Sequence, residues 1–118
     1  MEEVAPPKEV EKEKLEERLW RAFSVFKNKE EGGIFLSEFL TPSESERLSK
    51  RLEVLKKLRT GASYEDIKRL LQVTDATIAQ MSNLLKRAAS PFLRVLDTLI
   101  QKNQVEEKEK FTGTEPQS

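Results

Sequence analysis

Ser63-Tyr64-Glu65-Asp66-Ile67-Lys68-Arg69-Leu70-Leu71-Gln72-Val73-Thr74-Asp75-Ala76-Thr77-Ile78-Ala79-Gln80-Met81-Ser82-Asn83-Leu84-Leu85-Lys86 is the stretch on which the fold turns. Ser63 suits an N-cap, and a helix of about two turns follows with Ile67, Leu70 and Leu71 as its apolar residues. Gln72-Val73-Thr74 is a tight link, and Thr74 or Asp75 caps a second helix carrying Ile78, Met81, Leu84 and Leu85. Ile67, Leu71, Val73, Ile78 and Met81 supply two apolar positions on the first helix, one in the turn and two on the second. A helix-turn-helix needs that set, because a short scaffolding helix must pack across a longer one and hold its N-terminal part toward a DNA major groove. An ordinary αα-hairpin in a helical bundle has the same apolar spacing. The turn position that often holds glycine, for its left-handed backbone, is Gln72.

Outward from residues 64–86 the chain reads as all-α, with six helices in all. Upstream, Thr41-Pro42-Ser43-Glu44 is a start signal with Thr41 as cap, Pro42 at the first helical position and Glu44 at the third. The helix it opens carries Leu48, Leu52, Leu55 and Leu58 on one face and stops at Gly61. Leu15, Leu19, Ala22, Phe23 and Phe26 form one stripe of a helix over about 9–29. Gly32-Gly33 breaks it, and Ile34-Phe35-Leu36 with Phe39-Leu40 predict a short helix buried on most sides. Downstream, Ser90-Pro91 caps and opens a sixth helix with Phe92, Leu93, Leu96, Leu99 and Ile100 facing inward. Residues 1–12 and 103–118 are rich in charge and poor in apolar content, and read as disordered tails around one domain at 13–102.

Composition limits what this domain can do. Its 118 residues suffice for one core, and charged and apolar residues are equally frequent at 36% each. Such a chain has a thin core or borrows one. No apolar run reaches the length of a membrane span, and the charged N-terminus lacks a signal-peptide pattern, so a cytoplasmic location is expected. With neither Cys nor His, thiolate and imidazole metal sites and the commonest general base are missing. No glycine-rich phosphate loop or convergent acid pair can be assembled, so neither an enzyme, a metal nor a cofactor is expected. The net charge is zero, yet residues 41–94 hold 11 Lys/Arg against 6 Asp/Glu while both flanks are acidic. A basic centre is the electrostatic footprint of a nucleic-acid binder, and also a common feature of solvated helix faces.

If the second helix of the pair reads DNA, its outward face is Asp75, Ala76, Ala79, Gln80 and Asn83. Gln80 and Asn83 can each bond adenine bidentately, and Ala76 or Ala79 can touch a thymine methyl. Asp75 is repelled by phosphate unless it caps the helix or accepts from cytosine. Lys56, Lys57, Arg59, Lys68, Arg69, Lys86 and Arg87 bracket the pair as candidates for phosphate contacts. Helices one, two and six carry wider apolar stripes than about 90 ordered residues can bury, which predicts a homodimer matched to a two-fold duplex site. A compact six-helix monomer is the alternative arrangement. Three functional classes stay open: a transcriptional regulator of double-stranded DNA, a helical protein adaptor, and a transposon- or replication-type helix-turn-helix protein.

Leu40-Thr41-Pro42-Ser43-Glu44, Arg47-Leu48, Lys50-Arg51-Leu52, Gly61, Ser63-Tyr64-Glu65-Asp66-Ile67, Ala76-Thr77-Ile78 and Ser82-Asn83-Leu84-Leu85-Lys86 together resemble the Trp repressor family. The resemblance runs in order from about Leu15 to Gln101 and includes Trp20. It implies an intertwined two-fold dimer built from the first three helices and the last, with helices four and five as a protruding reading head. It also implies a tryptophan co-repressor clamped between two arginines, and here this chain departs. Arg51 matches the first arginine, but the second position is Gln80, a small glycine beside it is Met81, and a ligand-facing serine is Leu84. Losing a guanidinium and filling the cavity with Met and Leu predicts a degenerate pocket that does not hold tryptophan. Either Met81 and Leu84 permanently occupy the ligand space, or the family's effector has been exchanged for another or for none.

Overall fold

Thr41 and Glu44 satisfy one another's backbone in the computed structural model, which describes the backbone of residues 9–112 and side-chain exposure over residues 14–104. The Glu44 N–H donates to Thr41 Oγ1 at 3.1 Å, and the Thr41 N–H donates to Glu44 Oε1 at 3.0 Å. This capping box opens α3 (Pro42–Arg59), the third helix of six among the described residues. The others are α1 (Glu9–Ala22), α2 (Lys29–Phe39), α4 (Tyr64–Leu71), α5 (Asp75–Arg87) and α6 (Ser90–Thr112). The protein is all-α with six helices, as its apolar spacing predicts. The parts of both proposed tails at residues 1–8 and 113–118 lie outside the described residues. α6 continues past residue 103, where composition places the tail, to Thr112.

The chain divides into two compact units, with the boundary between Ser45 and Glu46. In the first unit three expectations are corrected. The helix read over 9–29 ends at Ala22, and α2 begins at Lys29, capped by Asn28, whose Oδ1 accepts from the Glu31 N–H at 2.8 Å. Gly32 and Gly33 therefore lie inside α2 and do not break a helix. The reason is packing. Phe26, in the connection, lies over Gly32 so closely that a Cβ there would meet the ring at 2.9 Å, whereas Gly33 has open space. Five rings, Trp20, Phe23, Phe26, Phe35 and Phe39, follow one another with centroids 5.4–6.4 Å apart. The expectation that the second helix is buried also fails within one chain, because Ile34, Phe35 and Phe39 are exposed, as are Leu15, Leu19 and Trp20 of α1.

The second unit holds the core. Val54, Ile67 and Ile78 have no exposed surface, Met81 retains 1%, and Leu55 and Leu96 complete the cluster. Leu58, Leu71, Val73, Leu84, Leu85 and Ile100 pack against it. All five residues of the helix-turn-helix spacing thus line one interior. Val54 lies outside the leucine stripe read for α3, while Leu48 and Leu52, within it, are exposed. In α6, Leu96 and Ile100 face this core but Phe92 and Leu99 remain partly exposed. Its first bonds run from the N–H groups of Phe92 and Leu93 to the Ala89 carbonyl, so Ser90 is already helical and is not the cap.

Between α4 and α5 the chain turns through Gln72, at φ 54° and ψ 53°. A left-handed residue after a helix is the usual stop, and its N–H donates to the Lys68 carbonyl at 2.8 Å. For a side chain with a Cβ that conformation costs about 1–2 kcal/mol, against a larger entropic loss on ordering glycine. Gln72→Gly is therefore expected to raise stability by about 0.5–1 kcal/mol, read as a higher urea midpoint at unchanged m-value.

Candidate nucleic-acid interface

α4 and α5 are each positioned from their first turn. Ser63 Oγ accepts from the Asp66 N–H at 3.1 Å, and Thr74 Oγ1 accepts from the Thr77 N–H at 3.2 Å. Thr74, not Asp75, is thus the cap of α5, and Asp75 is its first helical residue. The Thr74 hydroxyl also lies 3.1 Å from that of Thr77, which ties the cap to the first turn. From the opposite side, Ile78 and Met81 are buried and anchor the roll of α5 about its axis.

That roll decides what faces outward. Ala76, Ala79, Gln80 and Asn83 fall at i, i+3, i+4 and i+7, one stripe of a helix, and all four are exposed. Asp75 is exposed beside them. Among the described residues neither amide side chain hydrogen-bonds to the protein, so both keep their donors and acceptors for another molecule. All five residues expected to face bases are therefore brought to the solvent side of one helix.

The cations around this stripe differ in freedom. Lys68 Nζ lies 3.2 Å from Asp75 Oδ1, an ion pair that bridges the turn from α4 to α5. Arg69 pairs with Asp66 at 3.0 Å, one helical turn away. Lys56 is largely covered and held by Glu53 at 2.9 Å, and Lys57 is half-buried. Lys86 and Arg87, in the last turn of α5, are exposed and make no ion pair among the described residues. Exposed pairs of this kind are worth about 0–1 kcal/mol and exchange readily for a phosphate partner.

Arg59 stands apart. Its Nε and Nη2 donate to the two carboxylate oxygens of Asp97 at 2.8 and 3.0 Å, a bidentate pair joining the end of α3 to α6. The hydrogen bond from Arg59 holds the Asp97 carboxyl below its ordinary range, and the same bond holds the guanidinium above its own. A depressed carboxylate contributes stability above its unfolded pKa and loses it as pH falls through the folded value, so this brace weakens only on the acid side. Arg59 is thus engaged by another side chain at the surface, and Asp97, 38 positions away, carries no sequence signal that would single it out.

The residues compared with a tryptophan clamp differ in exposure. Met81 belongs to the core with Val54 and Leu55 of α3, and Leu84 packs against the same cluster. Gln80 lies on the exposed stripe, and Arg51 is half-buried on α3.

No helix of the described residues is long and apolar enough to cross a membrane. Among them, no group of three or more Asp and Glu residues is placed to hold a metal. Among curated proteins, no significant match to the chain occurs. One solved structure that it resembles is a candidate Trp repressor from Staphylococcus aureus, with TM-score 0.67 and 26% identity over 78% of this chain and 94% of that one. The family model described as Trp repressor protein matches residues 14–100, nearly the whole span of the six helices. Six helices, a buried helix-turn-helix core and a match over most of the chain agree: this protein belongs to the Trp repressor family of non-enzymatic, helix-turn-helix DNA-binding regulators.

Proposed function

We propose that the chain is a sequence-specific repressor of double-stranded DNA, working in the bacterial cytoplasm as a homodimer and without tryptophan. The observation that carries the reading is the outward stripe of α5, with two unengaged amides and two alanines opposite a fully buried face. Asp75, Ala76, Ala79, Gln80 and Asn83 form the base-facing set. Lys68, Arg69, Lys86 and Arg87 supply phosphate contacts, with Lys57 at the margin.

The dimer is supported by what α1 and α2 leave uncovered. Leu15, Leu19, Trp20, Phe23, Ile34, Phe35 and Phe39 are exposed in one chain. Fully burying such a side chain is worth about 1.5–3 kcal/mol, so a second copy covering these faces has ample driving force. Two-fold pairing would also present two reading heads to a palindromic site.

Independence from tryptophan is supported by Met81, whose side chain occupies interior volume that the family pattern leaves to a glycine. A ligand could enter only by displacing packed core. Titration calorimetry of free tryptophan is expected to show no binding, and tryptophan is expected to leave DNA affinity unchanged. Micromolar binding would overturn this part of the proposal.

Selection of duplexes from a random pool by the full chain tests the whole reading. The expected winner is a two-fold symmetric site bound by one dimer. A pool from which nothing is enriched would instead favour a helical adaptor that acts on protein partners.

A further inference from the structure

We propose that the operator half-site lying under α5 is a run of A·T base pairs, read through adenine by Gln80 and Asn83 and through thymine methyl groups by Ala76 and Ala79. The inference rests on α4 and α5 being the DNA-reading pair, and it names the class of sequence that pair selects.

Three observations on the stripe carry it. The first is what α5 exposes: amides at Gln80 and Asn83, and methyl groups at Ala76 and Ala79. In the major groove an amide matches the N6 donor and N7 acceptor of adenine in one bidentate contact, and a methyl side chain packs on the thymine C5 methyl. The second is what the stripe withholds. Guanine is read chiefly by Arg or Lys on its O6 and N7, and no cation lies on α5 before its last turn. On α4, Lys68 lies 3.2 Å from Asp75, so this cation beside the start of the reading helix is balanced by a carboxylate. The third is length. From Ala76 to Asn83 the helix rises about 10 Å, or about three steps of a duplex at about 3.4 Å each.

Small residues near the start and amides further along divide the work. Ala76 and Ala79 let the α5 backbone approach the groove floor, and the longer side chains reach the base edges beyond. Burial of Ile78 and Met81 on the opposite face holds the stripe in one orientation, so the contacts need little ordering on binding.

The test starts with the full chain selecting from a random duplex pool at one low salt concentration. Binding to the winner is then measured by fluorescence anisotropy, with single adenines replaced by an analogue carrying carbon in place of N7 and single thymines replaced by uracil. Wild type, Gln80→Ala and Asn83→Ala are compared, each first checked for an unchanged thermal midpoint. The expected result is symmetric A·T runs, a loss of about 5- to 150-fold for the analogue at a contacted adenine, and no such loss in the variant lacking the matching amide. A winner with guanine at the positions whose discrimination disappears in those variants overturns the inference while leaving DNA reading intact. So does A·T enrichment insensitive to the analogue and to both substitutions, which would place the selection in duplex shape. A pool with no enrichment overturns the inference together with the DNA-reading assignment.

Discussion

An Ile78→Ala chain is expected to lose about 2–5 kcal/mol of stability and, with it, DNA binding. Ile78 has no exposed surface and lies in the cluster where Val54 and Leu55 of α3, Ile67 of α4, Met81 of α5 and Leu96 of α6 meet. Removing its branched end deletes apolar packing and leaves a cavity that four helices cannot close together. A domain of this size is held by only about 5–15 kcal/mol in total, so the loss is a large share of the whole. The effect on binding has a second source. Ile78 and Met81 set the rotation of α5, and a loosened anchor turns the amide stripe away from the groove. Chemical denaturation at fixed protein concentration checks the first part, and anisotropy on a selected duplex checks the second. Leu70→Ala is the control, because Leu70 is apolar yet 55% exposed on α4. Its removal is expected to change stability by no more than about 0.5 kcal/mol. Equal losses for the two substitutions would mean that the cluster around Ile78 is not what holds the head.

The second large effect is electrostatic. With phosphate contacts on both heads, affinity is expected to fall by about 10³–10⁵ between roughly 50 and 200 mM salt. Lys68, Arg69, Lys86 and Arg87 are all exposed, and the first two need only exchange a surface carboxylate for a phosphate. Changing all four to alanine is expected to flatten the salt slope by about 7 in a dimer, at about 0.9 for each phosphate no longer neutralised. Because these are surface positions, the thermal midpoint should stay nearly unchanged. Arg59→Ala should act in the opposite pattern, lowering stability at neutral pH by a margin that shrinks as acid protonates Asp97, without altering the slope, since its guanidinium is held by Asp97. A slope unaffected by the four substitutions would remove α4 and α5 from the interface.

Much of the reading head is legible in the sequence because its determinants are local. Ser63 and Thr74 cap the helices they precede, and each acts through a backbone group three residues away. Ile67, Leu71, Val73, Ile78 and Met81 share one interior because helical periodicity and a three-residue link leave them few other arrangements. The same locality makes the outward stripe of α5 readable from spacing alone: it is the complement of the buried face. Even the turn, where glycine is the residue to expect, adopts its left-handed conformation with Gln72, whose N–H closes the helix on the Lys68 carbonyl.

The errors sit where distant residues meet. Leu15 to Phe26 has unbroken helical spacing, yet the helix stops at Ala22 because Phe26 is drawn onto Gly32 and into contact with Phe35. A pair of glycines normally reads as a break, but a glycine that accepts a ring against its backbone belongs inside a helix. Nor can periodicity tell Val54, which is buried, from Leu48 and Leu52, which are exposed, because that depends on which side of α3 the other helices cover. The bond from Arg59 to Asp97 is likewise invisible in the sequence, because it needs the approach of α6.

By itself, the order of residues determined the helix count, the caps of α3 and α4, the helix-turn-helix and the side of α5 that faces away from the core. Those follow from hydrogen bonds and apolar spacing within one or two turns, where chain connectivity leaves little freedom. Tertiary structure alone decided where α1 ends, which leucines of α3 are covered, and which cations are already engaged. Each of these depends on contacts between segments far apart in the chain, whose geometry no local pattern encodes.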